Sequence, residues 1–95
     1  MITSKQRAYL RGLANQMEPI FQIGKGGINE NLIKQLDDAL EARELIKLHI
    51  LETAFLESRA ALSELCEILG AEPVQAIGSK IVMYRASENK KKIEL

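Results

Sequence analysis

Ile20-Phe21-Gln22-Ile23-Gly24-Lys25-Gly26-Gly27-Ile28-Asn29-Glu30 is the stretch on which the fold turns. Its first four residues have an apolar majority and read as a short strand. Three glycines in the next four positions leave no regular element there, so residues 24–27 form a tight loop. Asn29 suits a helix N-cap, and Glu30 places a negative charge where the first turn favours one. Strand, glycine loop and capped helix in direct succession make a β–α unit.

Upstream, Thr3 and Gln6 have the spacing of a capping box. Leu10, Leu13, Ala14 and Met17 then recur on one helical face, which predicts a helix over 3–17. Glu18-Pro19 ends it, because a residue before proline is pushed out of the α region. Lys5, Arg7 and Arg11 lie off the apolar seam and reach solvent. Downstream, Leu32, Ile33, Leu36 and Leu40, with Ala39 beside them, form the buried stripe of a second helix, and Lys34 and Asp38 a solvent-side pair.

Residues 44–51 alternate as a strand, with Ile46, Leu48 and Ile50 on one face and Leu45, Lys47, His49 and Leu51 on the other. Residues 52–56 fit a loop or an early helical turn. From about Ser58 a third helix carries Ala61, Leu62, Leu65, Cys66 and Leu69, with Gly70 placed as its left-handed cap. A strand over 73–77 starts on a proline, where strands tolerate one. Gly78-Ser79 reads as a type II′ hairpin turn, and 80–85 as the return strand. Residues from 87 on are polar and read as a frayed basic tail, leaving an ordered core over about 2–86. The expected fold is α/β: a two-layer α-β-α-β-α-β-β domain with a four-stranded mixed sheet. Right-handed crossovers place both crossover helices on one face, and the leading helix packs where it fits.

Ninety-five residues make a single domain, 1–95, with one modest core. An apolar share of 46% and a charged share of 27% are those of a globular chain, which excludes a disordered tail or a collagen-like fibre. No stretch approaches the ~20 apolar residues that span a bilayer. Residues 1–5 lack the apolar run of a signal peptide, and the single Cys66 cannot form an internal disulfide; a cytoplasmic location and no membrane partner are expected. Only Tyr9, Phe21, Phe55 and Tyr84 are aromatic, which argues against a surface built mainly on base stacking.

Equal numbers of bases and acids hide a segregation. Residues 1–29 carry four bases against one acid, 30–79 four bases against ten acids, and 80–95 five bases against two acids. If the two ends meet in space, the molecule has a basic face and an acidic back. A neutral protein of that kind can still hold a polyanion locally.

The glycine loop is the sharpest chemical feature. Glycines bring the backbone close to a ligand, and the helix start adds free N–H groups and a partial positive charge. Lys25 adds a full one. A P-loop fails, since Gly26 rather than Ser or Thr follows Lys25. A dinucleotide loop fails at Asn29, where its third glycine belongs. The Gly-x-x-Gly clamp that grips nucleic-acid backbones in KH-like domains fits Gly24-Lys25-Gly26-Gly27, and so does a plain connecting turn. Elsewhere the inventory is thin. Cys66 lies on an apolar seam and reads as a small buried hydrophobe. His49 has no partner at a recognisable spacing. Asp37, Asp38 and Glu41 read as a solvated helix face. Nothing supports turnover, a metal site, a cofactor or a small-molecule substrate.

As a set the residues resemble a known family. Thr3, Lys5, Leu10 and Leu13-Ala14, then Pro19, then Ile23-Gly24-Lys25 with Gly27, then Glu44-Leu45-Ile46-Lys47, then Val74-Gln75 with Ile77-Gly78, and finally Tyr84-Arg85 look like the CRM domain, and more narrowly its stand-alone bacterial YhbY-type members. The resemblance runs over about 2–86. It implies a non-enzymatic RNA-binding domain similar in fold to the C-terminal domain of translation initiation factor three. It also implies association with ribosomal RNA in precursors of the large ribosomal subunit, a part in ribosome assembly, and ribosomal proteins as further partners. On the family pattern Gly24, Lys25, Gly26 and Gly27 form the backbone-gripping loop. Arg43 stands where the family usually has histidine, which keeps a positive charge but not an imidazole.

Charge and motif position extend the expected RNA track to Lys5, Arg7 and Arg11 on the first helix, and to Arg43, Lys47 and Arg85. Two other readings remain open at this level: a protein-interaction module that docks a ribosomal or assembly protein without touching RNA, and an enzyme acting on a phosphorylated small molecule, which rests on the glycine loop alone.

Overall fold

A computed structural model describes residues 2–95. Helix α1 spans Ser4–Ala14, strand β1 Phe21–Ile23, helix α2 Glu30–Arg43 and strand β2 Leu45–Ile50. A single 3₁₀ turn covers Glu52–Ala54. Helix α3 spans Ser58–Leu69, strand β3 Glu72–Ile77 and strand β4 Lys80–Tyr84. The strands lie side by side in the order β1-β2-β4-β3. β1 runs parallel to β2, and β4 runs antiparallel to both its neighbours. The expected mixed four-stranded α/β sheet is therefore present, with the hairpin strand β4 inserted between β2 and β3.

Each helix start has a local cause. Thr3 accepts the Gln6 amide while the Gln6 side chain accepts the Thr3 amide, the full capping box. Asn29 Oδ1 accepts the Leu32 amide at 2.8 Å. The Glu57 carboxylate caps α3 through the amides of Arg59 and Ala60. Gly70 ends α3 at φ 65, as its position requires. Gly78 has φ 57 in the hairpin, the conformation that asks for glycine there.

Two clusters hold the layers. On one face of the sheet, Leu36, Leu40, Leu62 and Leu65 from α2 and α3 pack on Ile23, Ile46, Leu48, Ile81 and Met83. On the other, Leu10 and Ala14 of α1 pack on Leu45, Val74, Val82 and Tyr84. The leading helix thus covers the second face of the sheet, with its own small core. The alternation of β2 sorts the two: Ile46, Leu48 and Ile50 face one cluster and Leu45 the other.

Three sequence expectations need correcting. Helix α1 ends at Ala14, before Pro19. The Lys47 ammonium donates to the carbonyls of Ala14 and Met17 at 3.2 and 3.3 Å, so its charge satisfies the helix end in place of a further turn. The segment beyond 87 is tied down rather than loose. The Glu44 carboxylate accepts the amides of Ser87, Lys92 and Ile93, and Ile93 packs beside Ile2 and Met17 on the smaller cluster. Asp37 and Glu41 are likewise more than a solvated face: Asp37 pairs with Arg85, and Glu41 accepts the Ser87 hydroxyl and the amides of Glu88 and Asn89. Among the described residues no helix is long and apolar enough to cross a membrane.

Candidate functional site

The glycine loop leaves the sheet at the end where β1 and β2 finish together, Ile23 opposite Ile50. The Gly27 amide donates to the Gly24 carbonyl at 2.9 Å, closing a four-residue turn with Lys25 and Gly26 at its corners. Both corner residues are exposed. Gly27 has φ 63, which a side chain would strain. A Cβ on Gly26 would lie 3.3 Å from Asn29 Nδ2, so bareness there keeps room for the helix cap.

The loop feeds directly into α2. Among the described residues, the amides of Lys25, Gly26, Glu30 and Asn31 donate to no protein acceptor. Two such donors in the turn and two at the helix N-terminus are groups of the kind that suit an anion, which the aligned peptide dipoles favour further. Beside them lies a recess of about 210 Å³, bordered by Gln22, Gly26, Asn29 and Gln35.

The neighbouring surface is polar, with Lys80 and Glu18 both on its border. Gln22, His49, Lys80 and Ile77 lie side by side in one row across all four strands. By strand alternation this row is on the face that carries α1, at the end nearest the loop, where α1 leaves the sheet open. Arg7 and Arg11, one turn apart, share a flank of α1. The opposite flank, with Leu13 and Met17, meets Arg43, Lys90 and Lys92. Arg7 is braced by a 3.1 Å bond from Nε to the Pro73 carbonyl.

The sequence-derived residues therefore divide. The loop of Gly24, Lys25, Gly26 and Gly27 lies at the end of edge strand β1, whereas Arg7 is held at Pro73 on the other edge strand, β3, with Arg11 one turn further along α1. Lys5 is exposed on the first turn of α1. Lys47 is occupied by the end of α1. Arg85 is occupied as well: Nη1 donates to Asp37 Oδ1 at 2.7 Å and to the Leu69 carbonyl at 3.0 Å, and Nη2 to the Asp37 carbonyl at 3.0 Å. Both cations are engaged by the fold, through two of the three N–H groups of Lys47 and three of the five of Arg85. Arg43 is exposed at the far end of α2, about 20 Å from the loop at 1.5 Å per residue.

Sequence reasoning overlooked Lys80. Its signal is present but needs pairing information: it is the first residue after the hairpin turn, and only the register with His49 brings it to the loop end. The two chain ends do meet, since Ile2 and Ile93 pack on the same cluster. Asp37, Asp38, Glu64 and Glu67 are exposed on the helices that cover the opposite face, so acids concentrate there, although Lys34, Arg43 and Arg59 are exposed on the same helices. Cys66 is buried, and burial together with the charge of Glu72 pushes its thiol up to about 12, which leaves it inert.

A mixed sheet with two crossover helices on one face, and an anion-ready glycine turn at its edge strand, defines a small α/β binding domain. Residues 2–85 match the model of the CRS1 / YhbY (CRM) domain, and the chain belongs to that family. It is 45% identical over 95 residues to the "Probable RNA-binding protein YqeI" of Bacillus subtilis, covering 100% of this chain and 99% of that one. A Haemophilus influenzae protein named "RNA-binding protein" is 30% identical over 90 residues, 95% of this chain and 91% of the relative. Among solved structures, the solution structure of SAV1595 from Staphylococcus aureus, for which RNA binding has been suggested, superposes with a TM-score of 0.80. It has 52% sequence identity, and the match covers 100% of this chain and 99% of the other.

Proposed function

We propose that the chain is a non-enzymatic RNA-binding protein that grips the sugar-phosphate backbone at residues 24–27 and associates with precursors of the large ribosomal subunit. The observation that carries the reading is the set of unpaired amides on Lys25, Gly26, Glu30 and Asn31, gathered at an exposed turn with Lys25 among them. Phosphate oxygens are the acceptors such a set fits, and single-stranded RNA presents them in series. Lys80 adds a positive charge at the loop end of the sheet, and Lys5, Arg7 and Arg11 add further ones along α1. The names of the relatives support RNA as the ligand. The large-subunit precursor and a cytoplasmic setting rest on the resemblance to the YhbY-type proteins.

Sedimentation of a cell extract tests the assignment: the chain co-migrates with large-subunit precursors and is released by nuclease. Replacing Gly27 with Asp places a carboxylate where a phosphate must approach. A folded Gly27→Asp variant that binds RNA as tightly as the parent reduces the loop to a connector. Retention on the precursors after nuclease treatment favours docking to a protein instead.

A further inference from the structure

We propose that Phe55 is a stacking platform for an unpaired base of the strand whose phosphates the glycine loop holds; the inference rests on the RNA-binding reading above. Phe55 is 93% exposed, more than any other large apolar side chain described. Single exposed apolar residues are ordinary on protein surfaces. This one differs in its backbone and its place. Its φ is 53, in the left-handed region that aromatic residues avoid, at the end of the 3₁₀ turn. The neighbouring Leu56 turns back against the core, while the Phe55 ring is held out in water.

The turn is anchored to the loop. The Leu51 amide donates to the Ile23 carbonyl at 2.9 Å, one residue before Gly24. The Cβ position of Gly24 lies 3.6 Å from Leu51 Cδ1 and 3.9 Å from Thr53 Oγ1. Beyond the turn, the Ser58 hydroxyl donates to the Gly78 carbonyl of the hairpin. Phe55 thus stands between the glycine loop and the β3–β4 hairpin, at the end of the sheet that carries Lys80. An anion-binding turn with a projecting ring beside it suits a polyanion that carries flat apolar groups, which describes a single strand of nucleic acid. A strictly double-stranded ligand offers no free base face.

The chain has no tryptophan, so Phe55→Trp supplies one fluorophore at this position. Its emission is expected to be quenched when a short single-stranded oligoribonucleotide is added. Phe55→Ala is expected to bind that oligonucleotide about 5- to 150-fold more weakly, the range one base on one aromatic ring provides, with the salt dependence of the parent. An abasic strand is expected to bind the parent and Phe55→Ala alike. If Phe55→Ala binds as tightly as the parent while Gly27→Asp does not, the stacking role is overturned and the ring belongs to a protein contact, with the RNA reading intact. If the parent itself binds no oligonucleotide, both fall together.

Discussion

Oε1 of Glu44 accepts the amide of Ile93 at 2.7 Å, across 49 residues of chain. The same oxygen takes the Lys92 amide at 2.6 Å, and Oε2 takes that of Ser87 at 2.7 Å. Glu44 has no exposed surface and closes α2 at φ 68. One buried carboxylate therefore ends a helix and moors the C-terminal segment. Burial pushes its pKa up; the three amides together outweigh that, with Lys91 adding to them, and hold it below the usual carboxylate value of 4.5. Glu41 is lowered too, by the Ser87 hydroxyl first and then by the amides of Glu88 and Asn89.

Acid should release this segment. A carboxylate with a lowered native pKa contributes stability above its unfolded value, and loses it as pH falls through the native one. Protection of the Ser87, Lys92 and Ile93 amides, measured against exchange in the unfolded chain at the same pH, is expected to be high at pH 7 and to fall as pH drops below about 4.5. Glu44→Gln is expected to loosen the same amides already at pH 7. Unchanged protection in that variant would remove the carboxylate from its role as anchor.

Phe55→Gly should stabilise the protein while weakening its ligand. A left-handed non-glycine residue costs about 1–3 kcal/mol, and glycine returns about 0.5–1 kcal/mol of that through its freer unfolded state. The expected gain of about 0.5–2 kcal/mol is read from the urea midpoint at constant slope. A loss of stability would mean that the ring supports the fold.

The glycines of the loop should separate by conformation. Gly27→Ala meets no atom but must hold φ 63, and is expected to cost about 1–2 kcal/mol. Gly24→Ala would make ordinary contacts at 3.6 Å and should fall within about 0.5 kcal/mol of the parent. Chemical denaturation of the two variants side by side checks the order.

Cations that serve the ligand should differ from those that serve the fold. On single strands log K falls with log salt by about 0.7 per phosphate contact, so four contacts give a slope near −3. Lys25→Ala or Arg11→Ala is expected to flatten the slope by about 0.7 at unchanged stability. Arg85→Ala is expected to keep the slope and cost about 1–3 kcal/mol, because the carbonyls of Leu69 and Asp37 lose their donors. A flattened slope in Arg85→Ala would place that guanidinium on the RNA after all.

The elements were legible because each carries its own local signal. Capping residues at Thr3 and Asn29, the alternation through β2 and glycines at 27, 70 and 78 all act within a few residues. What escaped needs partners from afar. Nothing near Lys47 says that its ammonium will end α1, 33 residues upstream. Asp37 and Glu41 look like a solvated helix face, and Glu44 like the first residue of a strand, until the segment beyond 84 folds over them. The loop was readable as an anion site, whereas Lys80 joins it only through strand register. Phe55 was visible as one of few aromatics, but its outward ring follows from a left-handed backbone that no residue nearby announces.

The insertion of β4 between β2 and β3 sets a timetable for synthesis. Until residue 84 has left the ribosome, β2 and β3 each present a bare edge to the other chains around them. The nascent chain must wait for β4 before the sheet can close, and a product truncated ahead of Lys80 is expected to aggregate rather than to persist as a smaller domain.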